Sequence, residues 1–329
     1  MTADIRAQIT QKIVAALEAG TPPWRKGWTT TGGLHYNEAT KRPYRGINQI
    51  LLALAAHDLP PIDGKSADTA DPRWLTMKQA NAQGLKVRKG SKAAQIVRMV
   101  EVSAGEPTKD TDEVLAQDKK SKLVMKLFHV FHASQVEGLA PLPPKADRIE
   151  PVAAAEKIAE GMKATGVALL HGGDSASYFE KLDTVRLPDR SAFKSAEDFY
   201  GTMLHELAHA TGAEKRLKRL NRDARFGSAL YAKEELVAEL AAAMTCAEVG
   251  IPLGPTHIAN HAAYMQSWLD CLKADKNAIF VASGAAERAC EFMRMHAVRA
   301  RPKERAKQEI DPPQPESVAA PKRRRGMPM

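Results

Sequence analysis

Hydrophobic positions recur at two different spacings along the N-terminal 140 residues. Between residues 3 and 19 they follow each other at intervals of three and four, which predicts a helix that Gly20 and the prolines after it end. Further runs at helical spacing and short alternating or clustered runs follow. They predict helices over 47–56 and 76–83 and strands over 95–100 and 123–131. The polar stretch 103–121 between these strands is typical of a long exposed hairpin loop.

A cluster of prolines marks a boundary near the middle of the chain. Its density resists both helix and sheet, so we place a linker over 139–151. Beyond it the pattern predicts a helix over 153–165, strands near 167–171, 178–179 and 183–187, and then four helical stretches. The closing segment 299–329 has the composition of a disordered tail. We therefore expect an α+β protein with a small mixed domain over 1–138 and a second domain over 152–298.

Composition places the chain among globular proteins. Of its 329 residues, 44% are hydrophobic and 26% charged, which excludes wholesale disorder. No apolar run approaches the roughly 18 residues of a membrane-spanning helix, and the start of the chain lacks a signal-peptide pattern. We therefore expect a cytoplasmic protein without a membrane partner. The three cysteines lack CxxC spacing, which argues against a disulfide framework and against a thiolate zinc site.

The net charge of +9 is unevenly distributed. Residues 1–140 hold 20 Lys and Arg against 14 Asp and Glu, whereas residues 141–298 hold 19 against 21. The closing segment holds 9 against 4. Positive charge thus lies on the N-terminal half and the tail, which suggests a polyanionic partner for those parts.

A five-residue motif carries the strongest chemical signal. His205-Glu206-Leu207-Ala208-His209 matches HExxH, in a predicted helix that begins with a capping box of Ser195 and Asp198 and ends at Gly212. Positions four apart lie on one helix face, so both imidazoles can reach one zinc ion while Glu206 lies beside it as the general base. The alternative is an ordinary helix with two partly buried histidines.

A second helix offers the third ligand that a catalytic zinc site needs. The stretch 233–240 places Glu235 and Glu239 on one face, and the apolar residues after it indicate a buried helix, where carboxylates are rare without a partner. The arrangement resembles the ligand helix of gluzincins. That resemblance implies Glu235 as the third ligand and Glu239 as the residue that holds a ligand histidine. Glu234 remains an alternative ligand, and a solvated helix face remains the alternative for these glutamates.

This residue set is typical of a zinc metallopeptidase. Zinc would lower the pKa of a water to about 7 and polarise an amide carbonyl, while Glu206 takes the proton. His261 and Tyr264 are candidates for stabilising the transition state, although a His and a Tyr three apart on a helix are also common packing residues. The segment 186–188 is predicted to close an edge strand that could hold an extended peptide.

Aromatic and basic residues occur together in the N-terminal half. This pairing binds single-stranded nucleic acid, because bases stack on aromatic rings while Lys and Arg follow the phosphates. The candidates are Trp24, Arg25, Lys26, Trp28, Tyr44, Arg45, Asn48, Arg73, Trp74, Arg88 and Lys89. The alternative is that the tryptophans are core residues and the charges a solvated rim.

Stretches throughout the chain match a known family. They are 23–26, 42–48, 73–76, 79–80 and 87–90 in the first half and 199–200, 205–212, 231–240 and 264–269 in the second. In these stretches the chain resembles the ArdC-like antirestriction proteins, in which a single-stranded-DNA-binding domain shared with conjugative primases precedes a zincin-like metallopeptidase domain. The resemblance implies a protein of a plasmid or mobile element that protects DNA entering as a single strand from host restriction.

Three functions of different classes fit these residues. A peptidase would cleave a peptide bond in a host restriction enzyme subunit or in itself. A binding module would shield single-stranded DNA sterically, without sequence preference. A regulatory protein would act on a repressor, and DNA binding would then be dispensable. The residues do not decide between the first two.

Overall fold

The computed structural model describes residues 4–20, 22, 24, 33–59, 71–103, 111–118, 121–142, 151–221, 223, 228–252 and 261–299. Within them the helices are α1 (Ile5–Glu18), α2 (Ile47–His57), α3 (Met77–Ala82), α4 (Pro151–Ala164), α5 (Ala196–Thr211), α6 (Ala229–Val249), α7 (His261–Ala274) and α8 (Ala278–Arg299). The strands are β1 (Tyr36–Asn37), β2 (Arg42–Pro43), β3 (Arg73–Leu75), β4 (Lys86–Val87), β5 (Ala94–Ser103), β6 (Thr111–Asp118), β7 (Ser121–His132), β8 (Val136–Glu137), β9 (Ala168–His171), β10 (Ser177–Phe179) and β11 (Thr184–Leu187). This mixture of helices and sheets confirms the predicted fold class. Most of the linker and nearly all of the predicted tail lie outside the described residues.

The N-terminal sheet is organised around the long strand β7. It runs in the order β2-β1-β3-β7-β5, and β6 also pairs with β7. β5 and β7 are antiparallel from Ala94↔Val130 to Ser103↔Ser121, close to the prediction. The predicted loop over 103–121 is wrong in part, because β6 forms there and pairs with β7 through two register shifts. Its polar composition concealed a strand.

The C-terminal half begins with a helix and a three-stranded sheet. The sheet runs β10-β11-β9, with β11 antiparallel to β10 and parallel to β9. The prediction of an edge strand ending at 186–188 is therefore wrong, since β11 is paired on both sides. Among the described strands of this sheet, the edges are β9 and β10.

The four helices after this sheet carry the functional positions. Ser195 accepts a hydrogen bond from the backbone N–H of Asp198 and caps the start of α5, and Gly212 ends the helix, as predicted. The return bond of the predicted capping box, from Asp198 to Ser195, is absent among the described residues. Ser228 caps α6, and Gly250 ends it in the left-handed conformation that favours glycine. α6 is buried along most of its length, so Glu235 and Glu239 are enclosed, as the apolar sequence indicates.

One hydrophobic core runs through both halves of the chain. α1 buries Ile5, Ile9 and Ile13 in the same cluster as the residues of α5 and α6. α1 contacts α7, and Trp24, just after α1, meets Trp268 of α7 edge to face with ring centroids 5.9 Å apart. The first segment of the chain thus packs into the helical layer that carries HExxH.

Candidate metal centre

The two histidines of the motif face each other on α5. Their Nε2 atoms lie 3.2 Å apart, and the rings are nearly perpendicular, at 83°. This follows from the helix itself, because residues four apart lie one turn above each other on the same face.

Glu235 of α6 completes the set. Its Oε2 lies 3.4 Å from Nε2 of His205 and its Oε1 lies 3.5 Å from Nε2 of His209. One donor atom from each of the three residues lies within 4.8 Å of the others. A tetrahedral ion with bonds of about 2.0–2.1 Å separates its ligands by about 3.3 Å, so these donors fit a zinc-type ion.

The electron-rich atoms of this set converge. Nδ1 of His209 lies 3.1 Å from Glu234, and a neutral ring that donates there presents a lone pair at Nε2, toward Glu235. Burial alone would lower the pKa of His209, but hydrogen bonds to Glu234 and Glu235 outweigh it and raise that pKa to about 10. Burial likewise opposes ionisation of Glu235, yet both histidines hold its pKa well below the usual range. The site therefore favours a cation, either a proton or a metal ion.

Glu234 holds His209 rather than binding with the other donors. Besides its contact with Nδ1 of His209, its two oxygens accept hydrogen bonds of 2.8 Å from Nε and Nη2 of Arg219. Arg219 also donates to the carbonyl of Ala208, at 2.8 Å. Its guanidinium passes close to Gly212, where an added Cβ would lie 2.9 Å from Nη2. Sequence reasoning missed that Glu234 holds His209, because Glu234 was considered only as an alternative ligand. It also missed Arg219, which holds Glu234.

Glu239 lies behind His205. It is 1% exposed, and its Oε2 lies 3.9 Å from Nδ1 of His205. Its other oxygen accepts a hydrogen bond of 3.3 Å from Nε1 of Trp24. The structure thus brings Glu239 near one of the two histidines, at a separation longer than a hydrogen bond, and its role in holding a ligand histidine stays a prediction.

Two tyrosines border the carboxylates. The hydroxyls of Tyr231 and Tyr264 lie 3.2 Å apart. Burial, the bond to Tyr264 and the charge of Glu235 raise the pKa of Tyr231 above its usual range. Burial raises the pKa of Tyr264 as well, with contributions from the charges of Glu235 and the buried Glu206. Both phenols therefore remain protonated donors beside the predicted general base.

Of the two candidate helpers, the structure places only Tyr264 at the site. His261 is the first residue of α7, and its side chain lies outside the described part of the chain. Tyr231 was missed by sequence reasoning. The sequence does not indicate that a tyrosine at the start of α6 borders the site, because this depends on the packing of α7 beside it.

Three of the predicted DNA-binding residues are buried, which corrects those predictions. Trp24 and Trp74 are 0% exposed, so neither ring can stack on a base. Trp74 donates to Nδ1 of His35 at 3.1 Å. Arg73 is buried and its guanidinium is paired with both oxygens of Asp71, which leaves its charge neutralised. The alternative interpretation holds for the two tryptophans, which are core residues, but not for Arg73, which is buried instead of lying on a solvated rim.

Two further candidates have structural partners. The side-chain amide of Asn48 donates to the carbonyl of Val97 at 2.9 Å and accepts from its N–H at 2.8 Å, so it mimics a strand beside β5. These bonds give the half-buried Asn48 a structural role, and a DNA contact at this residue stays a prediction. The hydroxyl of Tyr44 accepts from Asn37 at 3.1 Å, and its half-buried ring packs on the core formed by α2 and β5.

Basic candidates remain at the surface. The Arg45 side chain is 73% exposed and lies 3.3 Å from Glu287 of α8. Lys89 is exposed and Arg88 half-buried in the turn after β4, where Gly90 has φ of 84°. Arg25, Lys26 and Trp28 lie outside the described residues.

Two family models match the chain in succession. Residues 3–131 match the N-terminal domain of the anti-restriction factor ArdC. Residues 154–285 match a zincin-like metallopeptidase. In the part that the structure describes, no helix is both long and apolar enough to cross a membrane.

Solved structures and curated proteins agree with these matches. The Mn(II)-bound antirestriction ArdC protein from plasmid R388 is 30% identical, with a TM-score of 0.68 over 90% of this chain and 98% of that one. Its metal-free structure is 31% identical, with a TM-score of 0.67. The uncharacterized protein y4eC of Sinorhizobium fredii (strain NBRC 101917 / NGR234) is 34% identical over 88% of this chain and 91% of its own length. A DNA primase TraC of Escherichia coli is 35% identical over 93% of this chain but only 28% of the primase.

Proposed function

Since the chain belongs to the ArdC family of antirestriction proteins, we propose that it protects DNA that enters a cell as a single strand from host restriction. In this proposal the chain binds single-stranded DNA without sequence preference and holds one Zn²⁺ with His205, His209 and Glu235. The observation that carries the proposal is the convergence of these three donors at spacings that suit one ion.

Zinc is the proposed metal because two imidazoles and one carboxylate are a donor set of catalytic zinc sites. The related structure that holds Mn(II) makes manganese the competing candidate. Metal analysis of protein purified without added metal distinguishes the two.

The proposed chemistry is hydrolysis of a peptide bond. When bound, the metal would acidify a water and polarise the scissile carbonyl. Glu206 would take a proton from the attacking water and pass it to the departing amine. Tyr264, with its hydroxyl held beside Tyr231, donates a hydrogen bond to the oxygen that gains negative charge. Glu234 and Glu239 fix the two imidazoles.

The proposed DNA surface is basic and lies in the N-terminal half. Its proposed residues include Arg45 and Lys89, which are exposed, and their chain neighbours Tyr44 and Arg88, which are partly exposed. Arg25, Lys26 and Trp28 belong to the proposal from sequence alone. Stacking and phosphate contacts of this kind give little sequence preference.

The alternative function is a metallopeptidase that cleaves a regulatory or restriction protein, with DNA binding only for localisation. The enclosed donor set and the two protonated tyrosines favour a working peptidase centre. Host restriction enzyme subunits are then the proposed protein partners.

The test compares wild type, Glu206→Gln and Glu214→Gln in transfer of DNA into a restricting host. Glu214 is an exposed control just beyond α5, whereas Glu206 is the proposed base and not a ligand. We expect Glu206→Gln to keep zinc and single-stranded DNA binding but to lose protection. Full protection by this variant would assign protection to DNA shielding and make hydrolysis dispensable.

A further inference from the structure

Trp24 is enclosed in the helical half of the molecule. Its side chain is 0% exposed and its ring meets Trp268 edge to face. The indole N–H points to Oε1 of Glu239 across 3.3 Å. A residue from the N-terminal part of the chain therefore touches the carboxylate behind the candidate metal centre.

The two oxygens of Glu239 have different neighbours. Oε1 accepts from Trp24, and Oε2 lies 3.9 Å from Nδ1 of His205. A carboxylate has one rotatable bond at its end, so a donor at one oxygen sets the direction of the other. A buried carboxylate also needs hydrogen-bond donors to offset the loss of water. The indole N–H supplies one and leaves the second oxygen facing the imidazole.

We propose that Trp24 is a positioning residue for the metal centre: its indole N–H holds Glu239, which orients the ring of His205 for binding the ion. This inference rests on the proposed role of His205 as a ligand. Outer hydrogen-bonding partners of metal ligands fix the ring orientation and raise the basicity of the ligand atom.

The residues that support the metal centre extend beyond the zincin-like part of the chain. Trp24 lies outside residues 154–285, the part that matches the zincin-like family model. It follows α1, which packs on α7 and shares the core of α5 and α6. The N-terminal segment is therefore part of the metal centre's supporting structure.

The test measures Zn²⁺ affinity of the full chain by competition with a chelator. The variants are Trp24→Phe, Glu239→Gln and the double variant. Trp74→Phe is the matched control, since it removes an equally buried indole that also donates one hydrogen bond, here to His35 in the N-terminal core. Co²⁺ absorption spectra report the ligand geometry of each protein independently of any activity.

We expect Glu239→Gln to weaken Zn²⁺ binding by about 10- to 100-fold and Trp24→Phe by about 3- to 10-fold, with an altered Co²⁺ spectrum. Trp74→Phe should bind as wild type does. In the Glu239→Gln background, Trp24→Phe should have a smaller effect than in the wild type, because the amide that Trp24 then holds no longer orients His205 as the carboxylate does. A packing defect would instead persist in the double variant.

Wild-type affinity of Trp24→Phe, an additive effect in the double variant, or an equal loss in Trp74→Phe would each overturn the inference. A wild-type chain that binds no metal would instead refute the proposed function. If Trp24→Phe does not fold, nitrogen-15 NMR spectra of the wild type test the inference instead. The indole N–H signal of Trp24 should shift on Zn²⁺ addition while that of Trp74 stays in place, and an unmoved Trp24 signal refutes the proposal.

Discussion

Glu234 and His209 form a carboxylate-imidazole pair with Oε1 of Glu234 3.1 Å from Nδ1 of His209. Arg219 donates hydrogen bonds to both oxygens of the same carboxylate. Because the pair lies on the far side of the ring from Glu235, it fixes the ring and directs Nε2 toward the other donors.

The first prediction concerns this pair. Glu234→Gln keeps the shape of the side chain but removes its charge, so the ring of His209 loses basicity and its pKa falls from about 10. Zn²⁺ affinity should fall by about 10- to 100-fold, measured by chelator competition. Glu248→Gln, on the same helix and paired with Arg294, is the control and should bind normally. Unchanged affinity in Glu234→Gln would assign no support role to this pair.

The second prediction concerns the proposed DNA surface. Lys89→Ala should reduce the salt dependence of single-stranded DNA binding by about 0.7 in the slope of log K against log salt, for one lost phosphate contact. Lys194→Ala removes the same charge from an exposed site just before α5 and should leave the slope unchanged. Fluorescence anisotropy of a labelled oligonucleotide over a salt series measures both. If the slope of log K against log salt is the same for Lys89→Ala as for Lys194→Ala, Lys89 does not belong to the proposed DNA surface.

Sequence alone predicts two of the three proposed donors because their relation is local: the helical repeat places His205 and His209 on one face. The apolar sequence of α6 indicates that its glutamates are buried, but the choice of Glu235 as the third donor depends on the resemblance to the gluzincin ligand helix. The supporting residues are different. Arg219 reaches Glu234 only because the chain turns back after Gly212, and Trp24 reaches Glu239 only because α1 packs on α7. Such contacts depend on tertiary structure and leave no periodic pattern.

The errors in the aromatic set have the same origin. Trp24 and Trp74 each have a basic neighbour in sequence, which is the local pattern of a nucleic-acid contact. The structure buries both rings, and Arg73 turns to Asp71. A flanking charge therefore shows neither that the segment lies at the surface nor which side chain turns inward, since Arg73 is buried as well. Burial is decided by distant partners such as His35 and Trp268.

The third prediction tests the contact of α4 with α8. A Cβ at Gly161 would lie 2.5 Å from the backbone of Ala297, and also 2.5 Å from that of His296. Gly161→Ala should therefore lower the free energy of unfolding by about 1–3 kcal/mol despite its better helix propensity. Gly284→Ala, in the interior of α8, meets among the described residues only Arg288, at 3.7 Å, and should stabilise by about 0.5–1 kcal/mol. Urea unfolding compares them, and equal effects would refute the close approach.

The fourth prediction concerns Asp183, which ties the start of β11 to the end of the HExxH helix. It accepts hydrogen bonds from Tyr178 at 2.7 Å and from Arg216, and Arg216 also donates to the carbonyl of Ala210 in α5. Burial alone would raise the pKa of Asp183, but Arg216, Lys215 and Tyr178 hold it well below its usual range. Asp183→Asn should cost about 1.5–3 kcal/mol of unfolding free energy at neutral pH, since the buried Arg216 loses its counter-charge.

The pH dependence follows from the direction of that shift. Because the folded pKa of Asp183 lies below the unfolded value of about 3.9, its stabilisation is fully present above that value and is lost as the pH falls toward the folded pKa. The difference in unfolding free energy between wild type and Asp183→Asn should therefore be constant from pH 8 to about pH 5 and shrink below about pH 4. Asp270→Asn, at an exposed position of α7, should change stability by less than about 0.5 kcal/mol. A difference that grows toward low pH would contradict the assignment of Asp183 as the stabilising charge.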